Sequence, residues 1–214
     1  MKKALLIQAV LILLFACCTN KESEALKSAE IKDYQGEKLG SATDFRENSI
    51  KGPQNISIDS YRLEVTGLVE NPRTYTYIEA LNRKAYTKVI QIDCVEGWSV
   101  KALWEGILVK DLIDEAGAKP LANTVIFYAY DGYTTSLPLQ YVRDKDIILA
   151  YKINNVTLPI QNGYPFQLAA EDKWGYKWIR WVTKIALSDD SNYKGYWESR
   201  GYSNNGDQKG TMFG

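Results

Sequence analysis

From Tyr61 to Leu187 the chain is a succession of short apolar or alternating runs, each closed by a turn signal. This pattern constrains the fold more than any other feature, because runs of that length bounded by Gly, Pro, Asn and Asp read as strands. Ser57–Thr66 alternates at its end like a half-buried strand, and Gly67 closes it. Asn71-Pro72 turns the chain, and Tyr77–Leu81 reads as a short helix. Thr87–Val95 predicts a strand whose end carries Cys94. Ile107, Leu108, Leu112 and Ile113 follow helical spacing, with Gly117 as the expected C-cap. Val125–Tyr130 predicts a strand that Asp131-Gly132 turns back toward Thr134–Leu137. Ile147–Ile153, Phe166–Ala170 and Trp178–Leu187 are further strands, separated by Asn154-Asn155, Leu158-Pro159 and Asn162-Gly163. There is no internal repeat. Many strands with few short helices predict a single mixed, strand-rich α+β domain.

That domain is expected over residues 39–214, long enough for one sizeable core. The N-terminus is of another kind. Lys2 and Lys3 precede an apolar run, Ala4–Ala16, in which Gln8 is the sole polar residue. The run is short of the about 20 residues that span a bilayer but suits an export signal over residues 1–16. It ends in Leu14-Phe15-Ala16-Cys17, which resembles the lipobox of bacterial lipoproteins and makes Cys17 the expected lipidation site; a plain cleaved signal is the alternative. Lipidation implies a protein held by a diacylated cysteine on the extracytoplasmic face of a bacterial membrane. Residues 17–38, rich in Lys, Glu and Ser, are then expected to form a flexible tether. No basic stripe stands out, so nucleic acid is not expected as a partner.

The chain has no histidine. This excludes a Ser-His-Asp triad, a Cys-His protease pair, an HExxH zinc site and histidine-ligated haem. Cys94 is the one cysteine beyond Cys17 and Cys18 at the end of the export signal, so CxxC sites, Cys₄ clusters and an internal disulfide framework are excluded as well. Alone, Cys94 reads first as a small buried hydrophobe.

Its surroundings change that reading. Five segments occur in order over residues 45–202: Tyr61–Val69; Cys94-Val95-Glu96-Gly97-Trp98-Ser99, followed by Trp104-Glu105-Gly106-Ile107; Asp131–Leu137; Leu158–Pro165; and Trp174–Val182. A tail, Gly195-Tyr196-Trp197-Glu198, completes the series. In these segments the chain resembles the sulfite oxidase family of molybdopterin-binding domains, above all its small bacterial members. The resemblance implies a molybdenum (or tungsten) centre held by the dithiolene of a pterin cofactor, one protein cysteine, and oxo or water ligands. Cys94 is then the metal ligand. Thiolate is a soft ligand suited to such a metal, and one suffices because the cofactor brings the other sulfurs. The resemblance also implies that Lys177, with backbone amides around Gly175 and Tyr176, meets the cofactor phosphate. Asn48 and Asn162 contact the pterin, and Arg180 is a further cation nearby. Tyr133 sits beside the metal as a donor to an oxo group or substrate. Glu96 is either an outer-sphere carboxylate or an exposed side chain.

Two departures matter. Gln167 stands where the family often carries a cofactor-binding arginine, and a neutral amide does not replace a cation's attraction for phosphate. The arginines that bind sulfite in the family have no clear match, which argues against sulfite. The export segment also carries Lys2-Lys3 rather than the Arg-Arg pair with which cofactor-loaded proteins are exported folded. The expectation is a membrane-anchored oxidoreductase that transfers an oxygen atom, or makes a related two-electron step, on a small-molecule substrate. With no haem motif, its electrons pass to or from a separate carrier, such as a membrane redox subunit. The alternative is a cofactor-free lipoprotein using the same fold as a binding or interaction module.

Overall fold

Two five-stranded sheets contribute side chains to one hydrophobic core. A computed structural model of the chain describes residue 21 and residues 23–214, so the export segment and Cys17 lie outside the described residues. In chain order the strands are β1 (Asp33–Tyr34), β2 (Glu37–Lys38), β3 (Leu63–Gly67), β4 (Arg73–Tyr75), β5 (Tyr86–Asp93), β6 (Ser99–Leu108), β7 (Thr124–Ala129), β8 (Thr134–Pro138), β9 (Ile148–Ile153), β10 (Val156–Thr157), β11 (Gln167–Ala169) and β12 (Val182–Ser188). The helices are α1 (residues 23–29), α2 (Tyr77–Leu81), α3 (Val109–Ala116) and α4 (Leu139–Asp144). No described helix is long and apolar enough to cross a membrane.

One sheet runs β4-β3-β12-β7-β8, with β3 and β12 parallel so that Val65 faces Ile185. The other runs β5-β6-β9, with β10 and β11 both on the outer edge of β9. β12 buries Val182, Ile185 and Leu187 around a bulge, the near-alternation expected of a strand solvated on one side. The resulting domain is mixed α+β and strand-rich, as the sequence predicts.

The differences have physical reasons. Ile107 and Leu108 lie on β6, not on a helix. β6 is hydrogen-bonded on both edges, to β5 and β9, and is buried on both faces, so its apolar run carries no period of its own. The helix begins at Val109, buries Val109, Leu112, Ile113 and Ala116, and ends at Gly117 in the left-handed region, as expected. α4 was not foreseen, since a six-residue helix that buries only Leu139 and Val142 leaves almost no periodic signal. β3 starts only at Leu63, past most of the predicted run.

The segment expected as a tether is ordered in its second half. β1 and β2 form a small hairpin. Before it, the Glu30 carboxylate is 5% exposed and accepts from Ala42 N–H (2.7 Å), Ser41 Oγ (2.5 Å) and Asn154 Nδ2 (3.1 Å). Asn154 Nδ2 also donates to the Gly40 carbonyl, at 2.7 Å. The domain therefore begins near residue 30 rather than 39. Its first residues dock through polar groups, which hydrophobic patterning does not register.

Candidate active site

β5 ends at Asp93, and the chain turns into β6 through Cys94–Trp98. Cys94 N–H donates to the Trp98 carbonyl (2.9 Å), and Gly97 N–H donates to that of Cys94 (3.0 Å). Gly97 sits at φ +82°, a conformation that glycine adopts at no steric cost. This turn aims Cys94 into a cleft of roughly 870 Å³, counted to its open mouth. The other walls come from the loop Phe45–Ile50, the β7–β8 turn with Asp131 and Tyr133, the turn Gly175–Lys177, the approach to β12 with Arg180, and the C-terminal segment with Trp197 and Tyr202.

Gly175 explains how two of these walls meet. A Cβ at Gly175 would lie 3.2 Å from Cys94 Cα. A side chain there would press on the cysteine by a few tenths of an ångström, so glycine eases the close approach of the 174–176 backbone, and a parallel bridge between Asp93 and Trp174 fixes it. Cys94 is 6% exposed, and Asn48 Nδ2 donates toward its Sγ at 3.6 Å. Burial pushes the thiol pKa up; a backbone hydrogen bond from Glu96, the Asn48 amide and the Arg180 charge act in the opposite direction.

Arg180 is the only Lys or Arg among the described residues lining the cleft. Its guanidinium donates to Glu47 (3.1 Å) and to Asn48 Oδ1 (3.2 Å), so Asn48 links the cation to the cysteine. Burial pulls the Arg180 pKa down, while Glu47 and Asp131 hold it up. Tyr133 lines the cleft, and its hydroxyl donates to the Tyr176 carbonyl at 2.6 Å. Burial first, and then the Glu198 charge, hold that hydroxyl in its neutral form well above the usual tyrosine range. Glu96 is exposed at the rim, where its carboxylate accepts from Trp98 Nε1 at 3.3 Å.

Cys94, Tyr133, Glu96, Asn48, Gly175, Tyr176 and Arg180 thus share one cleft. Lys177 and Asn162 do not line it. The Lys177 side chain is fully enclosed, with Nζ on Glu198 Oε1 (2.6 Å) and on the Ser136 carbonyl (3.1 Å). Burial pulls its pKa below the usual lysine range, against the attraction of Glu198. In this structure the Lys177 charge is matched by a buried carboxylate, so the phosphate contact expected for it would require its Nζ to leave that partner. Asn162 is wholly buried beneath the cleft loop, where its Nδ2 donates to the Ala42 carbonyl at 3.1 Å.

Sequence reasoning missed two groups of wall residues. Asp131 is 3% exposed, faces the cleft and accepts from Tyr133 N–H at 2.9 Å, although Asp131-Gly132 reads in sequence as a plain turn. The aromatic walls Phe45, Trp178, Trp181, Trp197 and Tyr202 come from three separate stretches of chain. Trp178, Trp181 and Trp197 lie in segments the sequence singles out, but their place in one wall was not signalled.

The residues present fit a pterin cofactor. Gln167 lines the cleft and is 2% exposed, and its buried Oε1 has no partner. An unpaired buried acceptor is costly unless a donor reaches it, and the N–H groups of a pterin edge are such donors. Among the described residues, no group of three or more His, Cys, Asp and Glu could hold a metal. A metal at Cys94 would therefore need its other ligands from a cofactor.

Residues 50–197 match the family model described as "Oxidoreductase molybdopterin binding domain". The chain is 31% identical over 156 residues to the uncharacterized oxidoreductase YuiH of Bacillus subtilis, a match covering 72% of this chain and 78% of that one. It is also 31% identical over 147 residues to the protein-methionine-sulfoxide reductase catalytic subunit MsrP of Gluconobacter oxydans, covering 60% of this chain but only 47% of that one. The solved structure of the sulfane dehydrogenase SoxCD from Paracoccus pantotrophus shares the fold, with a TM-score of 0.63 at 22% identity over 75% of this chain and 49% of that one.

Proposed function

The chain belongs to the sulfite oxidase family of molybdopterin-binding oxidoreductases, and from that premise we propose that it transfers an oxygen atom, or makes a related two-electron step, at a molybdenum centre held by Cys94. One observation carries the reading: the single soft ligand of the body opens into an aromatic-walled cleft beside a glycine that admits close backbone approach. When bound, the cofactor supplies the two-electron chemistry. Cys94 would bind as the thiolate, since a coordinating thiol is deprotonated. Gln167 would accept from the pterin edge, and Arg180 with the backbone at Gly175 and Tyr176 would face its anionic end. Asn48 would hold the sulfur in place through its Nδ2. The Tyr133 hydroxyl stands ready to turn from the Tyr176 carbonyl to an oxygen at the reacting centre, and Glu96 at the rim stays accessible to solvent protons.

The reading extends to the cell envelope. Leu14-Phe15-Ala16-Cys17 supports lipidation at Cys17 and an anchored, extracytoplasmic enzyme. The relative MsrP is named as a catalytic subunit, and a separate electron carrier fits a chain without a haem motif. Protein purified from a host competent in cofactor synthesis is expected to carry about one molybdenum, or tungsten, and one pterin per chain. Metal-free and pterin-free protein from such a host would overturn the enzyme reading and leave a binding module. Cys17→Ala is expected to move the protein from the membrane to the soluble extracytoplasmic fraction, as judged by fractionation. Unchanged membrane association would refute the anchor.

A further inference from the structure

We infer that Glu30 is a positioning residue for the cleft: its buried carboxylate fixes the loop 40–48, and with it the Asn48 amide against the Cys94 sulfur. The role toward a metal at Cys94 rests on the molybdopterin reading above; the hold on the cleft wall does not. Glu30 and the loop both precede residues 50–197, the segment that matches the family model.

The loop has little of its own to place it. Its one regular element is a single 3₁₀ turn, Ala42–Asp44, capped by Ser41 and Asp44. A turn that short is not stable by itself. Beyond it, residues 45–50 make no backbone–backbone hydrogen bond among the described residues. They form the front of the cleft through side chains: Phe45 stands edge-on to Trp98 and Trp104, with centroids 5.9 Å from each, Glu47 meets Arg180 at 3.1 Å, and Asn48 meets Cys94 Sγ at 3.6 Å. The position of this wall is therefore set where the chain enters it, at Gly40–Ala42. Glu30 holds that entry. Its carboxylate is 5% exposed, and the groups that donate to it are all neutral: Ala42 N–H (2.7 Å), Ser41 Oγ (2.5 Å) and Asn154 Nδ2 (3.1 Å). Asn154 also donates to the Gly40 carbonyl, and Asn162 to the Ala42 carbonyl. Ala42 is thus gripped from outside the loop at both its N–H and its C=O. A buried charge is costly unless donors surround it, and a charged acceptor holds its donors more strongly than a neutral one. The three donors satisfy the first condition, and the second makes Glu30 the strong member of the grip.

The test reads the wall first and the metal second. Full-length chain made without cofactor is treated with iodoacetamide, and labelling of Cys94 is followed by peptide mass spectrometry, which separates it from Cys17 and Cys18. Glu30→Ala is expected to speed Cys94 labelling at least about tenfold, the effect of orphaning a buried donor, and to speed hydrogen exchange within residues 41–49. Glu30→Gln is expected to stay within about twofold of wild type, because its Oε1 can accept from Ala42 and Asn154 while its Nε2 donates to Ser41 Oγ. Val142→Ala opens a core cavity in α4 away from the cleft; it is expected to lower the melting temperature and leave both readouts unchanged. In holoprotein, Glu30→Ala is expected to lower molybdenum content at least about threefold, less than the loss from a direct outer-sphere partner, while Glu30→Gln and Val142→Ala keep it. Should Glu30→Ala not fold, Glu30→Asp keeps the charge but withdraws the oxygens by one methylene, and is expected to speed labelling about threefold. Labelling and exchange unmoved by these variants, or moved as much by Val142→Ala, would overturn the inference. An opened loop with full molybdenum content would overturn its link to the metal. Wild-type holoprotein without molybdenum would sink the molybdopterin reading instead, and the labelling would still decide whether Glu30 holds the wall.

Discussion

Cys94→Ser is expected to lower activity by at least about a hundredfold and to leave the purified protein with little or no bound molybdenum. The loss should exceed that from an outer-sphere partner, where removal costs about 10–100-fold. Asn48→Ala supplies that comparison, since Asn48 reaches the cysteine only by a 3.6 Å hydrogen bond to Sγ. The serine hydroxyl is close in size to the thiol and inherits the Asn48 amide as a partner, so the melting temperature should barely move. The two readouts separate a ligand from a core residue. A structural cysteine would lose stability and keep its metal, whereas a ligand loses its metal and keeps its stability. A Cys94→Ser protein with full molybdenum content would show that the metal is held elsewhere.

Lys177→Met is expected to destabilise the fold by about 3–5 kcal/mol, the cost of leaving a buried charge without its partner. For a domain of this size that corresponds to a fall in Tm of roughly 6–20 °C. The orphaned group would be Glu198, whose Oε1 holds both Lys177 Nζ (2.6 Å) and Thr135 Oγ1 (2.5 Å), and whose Oε2 already lacks a partner. Adding Glu198→Leu to Lys177→Met should restore most of the loss, because replacing both members of a buried pair by apolar groups is often neutral. The pair also reaches the site. Glu198 lies in the turn between Trp197 and Tyr202, both of which line the cleft, so the single variant should loosen that wall as well. A single-variant melting temperature within 2 °C of wild type, by the same scale, would mean that the pair holds little.

Several features of this protein were legible without coordinates. The strands β5, β7, β8 and β9 announce themselves because each is a short apolar or alternating run next to an Asp-Gly, Asn-Asn or similar turn. Gly117 declares the end of α3 because only a left-handed residue closes that helix. Cys94 stood out as the candidate ligand because histidine is absent and the motif around it is contiguous, so the proposal rests on one stretch of chain.

Contacts between distant segments were not legible. Lys177 reads identically whether its ammonium faces a phosphate or a carboxylate 21 residues later, and only the fold brings Glu198 to it. Glu30 and Asn154 are 124 residues apart, and their hydrogen bond turned an apparent tether into part of the domain. Glu47 neutralises Arg180 across 133 residues, and that pairing makes the cleft acidic. The sequence by itself determined the mixed α+β class and the molybdopterin-binding family, because periodicity, turn residues and local motifs are properties of neighbouring residues. Tertiary structure alone decided which cation reaches the cleft and which is enclosed in a pair, because electrostatics depends on distance through space and on burial, not on order along the chain.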